Sequence, residues 1–121
     1  MRLALGAVLI CLALAGSAAA ESCRASFYGA PGERLNRFTA SGERFNPRAL
    51  TAAHRSLPFG TLIGVRAYAR GRPLGPKITL RVNDRGPAPW TGRGLDVTRA
   101  AARALGFERA GTAIVEIERL Q

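Results

Sequence analysis

The stretch KITLRVNDRGPAPW, residues 77–90, decides how the chain is read. Ile78, Leu80 and Val82 alternate with polar residues, so Lys77 to Val82 reads as a strand with one buried face. It runs out into Asn83-Asp84-Arg85-Gly86-Pro87, and Asp84 is one of only two aspartates, the other being Asp96. An Asp before Gly-Pro often does no more than build a turn. A strand that ends in a stiff turn also holds a carboxyl group with little freedom, which is what a catalytic group requires. The local sequence leaves both readings open.

Upstream, Thr61 to Ala67 alternates in the same way, and residues 69–76 (ARGRPLGP) read as a hairpin connection to the strand. Leu57-Pro58-Phe59-Gly60 reads as a turn, and Leu50 to Ala53 as a short apolar piece. Residues 29–50 carry Gly, Asn, Ser and Pro and read mostly as loop, preceded by a short strand from Cys23 to Tyr28. Downstream comes the short segment GLDV, and then TRAAARAL at 98–105 reads as a helix, with Thr98 as N-cap and Gly106 as its stop. Thr112 to Leu120 reads as a last strand on its β-branched content more than on a clean period. Several short strands, one short helix and long loops predict a compact β-barrel, a mainly-β fold.

The first twenty residues read as a secretory signal peptide: Arg2, an apolar run from Leu3 to Leu14, and Ala18-Ala19-Ala20. The run is short for a membrane span, and no later segment is long and apolar enough. The expectation is therefore a signal peptide over 1–20 and one domain over 21–121, exported to the periplasm or cell-wall space and soluble, not lipid-anchored. Cys11 would leave with the signal, so Cys23 is expected to remain as a lone thiol.

The 18 Lys and Arg outnumber the 8 Asp and Glu, and Lys77 is the only lysine. Such a surface favours anionic partners. With no recognition motif or concentrated basic run, nucleic acid is not among the expected partners. An anionic wall polymer or membrane surface fits an exported chain better. The arginines are scattered along the sequence and read first as a solvated surface. One His and one Cys are a poor supply for a metal site, so no metal or other cofactor is expected. Of the acids, Glu43 (in TASGERFN), Asp84 and Asp96 stand in the least ordinary company, with the lone His54 after LTAA. Each has an ordinary explanation: Glu43 as a solvated loop charge, Asp96 as support for the helix start, and His54 as a hydrogen-bonded structural residue.

Four segments resemble the rare lipoprotein A family: ASFYG at 25–29, TASGERFNPRALTAAHRSLPFGT at 39–61, RVNDRGP at 81–87 and LDVTRAAARALG at 95–106. The resemblance implies a six-stranded double-psi β-barrel with one short helix, about residues 98–105. It also implies an endolytic lytic transglycosylase that cleaves the β-1,4 bond between N-acetylmuramic acid and N-acetylglucosamine in peptidoglycan strands and leaves 1,6-anhydro ends. The family's functional Glu, His and Asp fall on Glu43, His54 and Asp84. In related expansins and family 45 glycosidases the critical acid lies where this chain has Asp96, which stays a second candidate for the proton donor. Expected glycan contacts are Ser41, Asn83, Arg85 and Asp96, with Tyr28 stacking on a sugar face. Trp90 is either a further stacking residue or a core plug. Arg85 is expected to point outward, towards the glycan or another acid. The chain departs from the family in Phe27-Tyr28-Gly29, where Trp-Tyr-Gly is usual, and in a longer hairpin at 69–76. Many members also carry a lipid anchor and a C-terminal glycan-binding domain, neither of which is expected here.

On this reading Asp84 is the acid/base, and it must hold a proton. An ordinary Asp titrates at about 3.9, so burial or a negative Glu43 beside it is expected to raise it. His54 orients one of the acids or shuttles a proton. A non-catalytic, expansin-like wall-binding module is the alternative, with the same acids bonding sugar hydroxyls; a small inhibitor barrel is a third. A monomer is expected.

Overall fold

The computed structural model describes residues 21–29 and 37–121. The expected signal peptide and residues 30–36 of the expected loop lie outside the described residues. The strands are β1 (Glu21–Tyr28), β2 (Thr51–Ala53), β3 (Leu62–Ala69), β4 (Arg72–Pro73), β5 (Ile78–Asp84), β6 (Leu95–Thr98) and β7 (Thr112–Arg119), with one helix, α1 (Arg99–Leu105). They pair in the order β4-β3-β5-β2-β6-β1-β7, and β3 also pairs with β7. That last pairing closes six strands into a barrel and leaves the two-residue β4 as an appendage on β3. The β1–β6 and β2–β5 pairs are parallel and the rest antiparallel. This is the mainly-β barrel that the sequence predicts, with a single α-helix among the described residues.

Period-two alternation fills the interior. Ala25 on β1, Ile63, Val65 and Ala67 on β3, Leu80 and Val82 on β5, and Leu95 and Val97 on β6 are all fully buried. On β7 the alternation is cleaner than the sequence suggests: Ala113, Val115 and Ile117 turn in while Thr112, Ile114 and Glu116 are exposed. Truncating Leu80 to Ala would cost about 2–5 kcal/mol, because a closed barrel cannot collapse onto the void.

Helix α1 plugs one end of the barrel with Ala101, Ala102 and Leu105. Thr98 caps it, accepting from Ala101 N at 3.2 Å and donating to Ala49 O at 2.6 Å. Gly106 stops it at φ 98°, where a Cβ would lie 2.7 Å from Leu74 O. The connection at 69–76 is a two-residue turn, Arg70-Gly71, both at positive φ, with β4 pairing straight back onto β3.

Cys23 is buried in this core. The lone-thiol expectation rests on the loss of Cys11, which lies outside the described residues.

Candidate active site

The strand that opens the sequence reading breaks its own period. Ile78, Leu80 and Val82 turn inward, so strict alternation would bury Asp84 with them. Instead Asn83 is 3% exposed and Asp84 lies half-buried on the outer face. The cause is a register slip against β2, where Ala52 faces Val82 but Ala53 faces Asp84. Asn83 is the extra residue of a bulge, and the bulge re-aims the carboxyl that follows it.

Ala53 also faces Asp96 across the β2–β6 pair, and Asp96 faces Ser26 across β6–β1. Directly paired residues share a face of the sheet. Ser26, Asp96, Ala53 and Asp84 therefore form one row across four strands. Ser26 Oγ donates to Asp96 Oδ1 at 3.0 Å, and Arg93 Nη1 donates to Ser26 Oγ.

A tight turn folds over the Asp84 end of the row. Thr39 N donates to Glu43 O at 2.8 Å, Gly42 takes φ 92°, and Ser41 N donates to Asn83 O at 3.3 Å. Asp84 Oδ1 accepts from Ala40 N at 2.9 Å and from Arg85 N at 2.8 Å. Both bonds fall on one oxygen, so the carboxyl is oriented while Oδ2 takes part in neither. Ser41 Oγ pairs with Thr39 Oγ1 at 2.9 Å and accepts from Glu43 N at 3.3 Å, and so builds the turn.

The carboxylate of Glu43 is gripped by Arg81, with both oxygens 2.7 Å from the guanidinium nitrogens. The Arg81 fork is the main reason its carboxyl sits below the ordinary range, opposed by burial and helped by Asn83. The expectation that a negative Glu43 acts on Asp84 is modified by this fork, which absorbs much of that charge. Arg81 has a signal in the sequence, as the outward residue of the alternating strand two before Asn83, but its partner is 38 residues away.

His54 is 2% exposed and directly follows β2. Its N–H donates to Asp84 O at 3.1 Å, which ties it to the acid through the main chain. Its Nδ1 accepts from Ser56 N at 3.1 Å and Leu57 N at 3.0 Å, so a neutral ring carries its proton on Nε2. Glu43, His54 and Asp84 are thus gathered at one end of the barrel.

The other expected contacts are placed unevenly. Tyr28 is 8% exposed and its ring packs on Phe45 with centroids 5.1 Å apart, so the expected stacking on a sugar is corrected: the ring face is already covered. Its hydroxyl is buried, with no hydrogen-bond partner among the described residues. Burial, and then the charges of Asp84, Asp96 and Glu43, push the phenol well above its ordinary value, so it stays neutral. Asn83 Oδ1 is likewise buried without a partner among the described residues. Arg85 Nη1 donates to Leu57 O at 2.8 Å and His54 O at 3.3 Å, and the guanidinium lies 4.0 Å over the Phe59 ring. It points neither at the Asp84 carboxyl nor at another acid; it ties the strand end to the 54–59 turn. Trp90 is 87% exposed on a 3-10 turn, so of its two readings the core plug is excluded. Arg55 holds that loop by donating to Pro87 O and Arg93 O. Among the described residues no three His, Cys, Asp or Glu side chains are grouped to hold a metal ion.

Residues 20–117 match the family model described as lytic transglycolase. A probable endolytic peptidoglycan transglycosylase RlpA of Nostoc sp. is 51% identical over 94 residues, covering 78% of this chain and 24% of the relative. The endolytic peptidoglycan transglycosylase RlpA of Neisseria meningitidis serogroup A is 43% identical over 100 residues, covering 83% of this chain and 39% of that protein. The chain thus spans well under half the length of these relatives. Among solved structures, a Clavibacter michiganensis expansin superposes with a TM-score of 0.61 at 19% identity, over 85% of this chain and 51% of that one. A Streptomyces papain inhibitor superposes with a TM-score of 0.59 at 16% identity, over 85% of this chain and 96% of that one. At those identities the superpositions speak for the barrel alone. The match to the family model, with the relatives at 51% and 43% identity, settles the family: the chain belongs to the lytic transglycolases.

Proposed function

We propose that this barrel is an endolytic peptidoglycan lytic transglycosylase, with Asp84 as its acid/base. The observation that carries the assignment is the Asp84 carboxyl, turned outward by the bulge and pinned through Oδ1. Fixed orientation on a rigid strand is what general acid/base catalysis requires. Protonated Asp84 gives its proton to the glycosidic oxygen as the C1–O4 bond breaks. The C6 hydroxyl of the muramyl residue forms the new bond to C1, and its proton passes back to Asp84. One carboxyl serves both transfers and no water is consumed. A hydrolase would need a second carboxylate to activate water or attack the sugar. Glu43 is a poor second acid, because both its oxygens are taken by Arg81.

His54 supports Asp84 through the main chain, Glu43 and Arg81 anchor the overlying turn, the buried Asn83 forms the bulge that aims Asp84, and Ser41, Asp96 and Trp90 contact the strand. The substrate class comes from the names of relatives much longer than this chain. Export of residues 21–121 behind a cleaved signal, as a soluble monomer of the wall space, completes the proposal.

The test uses sacculi stripped of stem peptides. Mass spectrometry finds 1,6-anhydro ends with the wild type and none with Asp84→Asn, which retains the Oδ1 acceptor. An equally active Asp84→Asn protein removes Asp84 from the role. A wild type that binds sacculi and releases nothing leaves the wall-binding alternative.

A further inference from the structure

Arginines that look scattered along the sequence meet at one place in the fold. A cavity of about 460 Å3 lies where β1 ends and α1 begins, lined by Gly29, Pro47, Arg48, Arg99, Ala100 and Arg103. Glu108 is the acid that meets these arginines among the described residues. Arg99 Nε donates to its Oε2 at 2.6 Å, and Arg103 donates through Nε at 3.0 Å and Nη2 at 3.4 Å. Arg103 and then Arg99 hold the Glu108 carboxyl down at about 2, so it stays charged and keeps both guanidinium groups in place.

These bonds leave donors over. Both terminal nitrogens of Arg99 and the whole guanidinium of Arg48 make no hydrogen bond among the described residues. Three positive charges against one negative give the recess a net positive charge. It shares no lining residue with the row of acids: Ala100 N donates to Pro47 O at 3.0 Å and Thr98 Oγ1 to Ala49 O, which seats the 47–49 segment against the start of α1. Gly29 and Arg99 directly follow the paired strand ends Tyr28 and Thr98, three positions beyond Ser26 and Asp96. That is roughly 10 Å from Asp96 along the strand direction, comparable to one disaccharide of a glycan strand, with Asp84 two strands further across the sheet.

We propose that this recess binds a carboxylate on the glycan strand away from the bond being cut: the lactyl carboxylate of a muramyl residue. The inference rests on the peptidoglycan reading of the substrate. Guanidinium groups with free paired donors suit a planar carboxylate held at two oxygens. The muramyl sugar carries that acid on its O3 ether, free wherever the stem peptide has been removed, and a chitin strand with the same backbone does not. The recess would therefore set both the preference for muramyl-containing strands and their register over Asp84.

The test reads binding, independent of cleavage. Full-chain protein and Arg48→Gln are titrated with soluble glycan strands freed of stem peptides, with the same strands methyl-esterified at the lactyl group, and with chitin oligosaccharides of equal length. Arg48 is exposed, and an unchanged melting midpoint confirms that the variant folds. Arg48→Gln is expected to weaken binding of the free-acid strand about tenfold, as esterification does for the wild type, and to leave chitin binding unchanged. Equal loss on the acid strand and chitin, no loss on either, or no binding of the acid strand overturns the inference. So does an Arg48-dependent affinity for inorganic phosphate with no effect on the glycan, which would make this a phosphate site. A protein that shows the expected pattern but releases no anhydro ends keeps this inference and loses the lyase; one that releases them with unaltered affinity in Arg48→Gln loses this inference alone.

Discussion

Asp84 and Asp96 share a neighbour: each is paired with Ala53, Asp84 from the parallel side on β5 and Asp96 from the antiparallel side on β6. Two strand spacings separate their Cα atoms, roughly 10 Å. Side chains leaning towards each other across Ala53 would bring two carboxyls into the range used by inverting hydrolases. The two chemistries differ in product. If Asp84 alone is the acid/base, Asp96→Asn slows release about tenfold through lost sugar contacts, and every new end is still 1,6-anhydro. Reducing ends from the wild type that disappear in Asp96→Asn would make Asp96 the base of a hydrolase. Asn still accepts from Ser26 Oγ, so the row keeps its geometry.

The bulge at Asn83 gives a sharper structural test. Inserting one Ala between Ala52 and Ala53 gives Asn83 a partner on β2, restores strict alternation after Val82 and turns Asp84 into the barrel, among side chains such as Leu80 and Val82 that are fully buried. An uncompensated buried carboxylate costs about 3–5 kcal/mol, and the Ala40 and Arg85 amides lose their acceptor. The insertion is expected to melt far below the wild type and to release no anhydro ends. Near-normal melting would show that the slip at Ala52/Ala53 does not set the direction of Asp84.

That bulge also marks where the sequence stops being legible. The strands could be read because apolar residues recur every second position, and α1 because Thr98 and Gly106 bracket a run of alanines. The slip at Asn83 leaves no mark in that pattern, since Val82-Asn83-Asp84 continues the alternation in the wrong sense. The grip of Arg81 on Glu43, the covering of Tyr28 by Phe45, and the meeting of Arg48 with Arg99 and Arg103 were hidden for another reason. Each joins the 39–49 segment to a distant strand or helix, and no period within the sequence reports such contacts. Arg85 shows the reverse: the sequence points it outward, towards the glycan or another acid, yet the His54 and Leu57 carbonyl groups claim it.

The Glu43–Arg81 pair predicts how the turn responds to acid. The folded-state value of Glu43 lies below its ordinary 4.5. Its contribution to stability is therefore fully present above that value and is lost as pH falls through the lowered one. Both side chains are about two-fifths exposed, at 42% and 39%, so solvent screens the pair. Glu43→Gln should cost under about 1 kcal/mol at neutral pH and flatten the acid limb of the denaturation midpoint. Glu108, also held low, titrates in both proteins, so the difference between them isolates Glu43. Parallel acid limbs in variant and wild type would mean that the fork adds nothing.

Tyr28→Phe separates stability from function at one atom. The phenol hydroxyl is buried without a partner among the described residues, while its ring packs on Phe45. Phe keeps the packing and removes a polar group that contributes no bond, so the melting midpoint should hold or rise, by up to about 1 kcal/mol of stability. Burial, and then the charges of Asp84, Asp96 and Glu43, keep the proton on the phenol. A buried hydroxyl that feels these charges and makes no bond at rest has its use when charge shifts on Asp84 during proton transfer. The rate of anhydro-end release should therefore fall about tenfold or more at saturating glycan, with KM unchanged. A variant that loses stability and rate together would reduce Tyr28 to a packing residue; one that keeps both would leave its buried hydroxyl without a function.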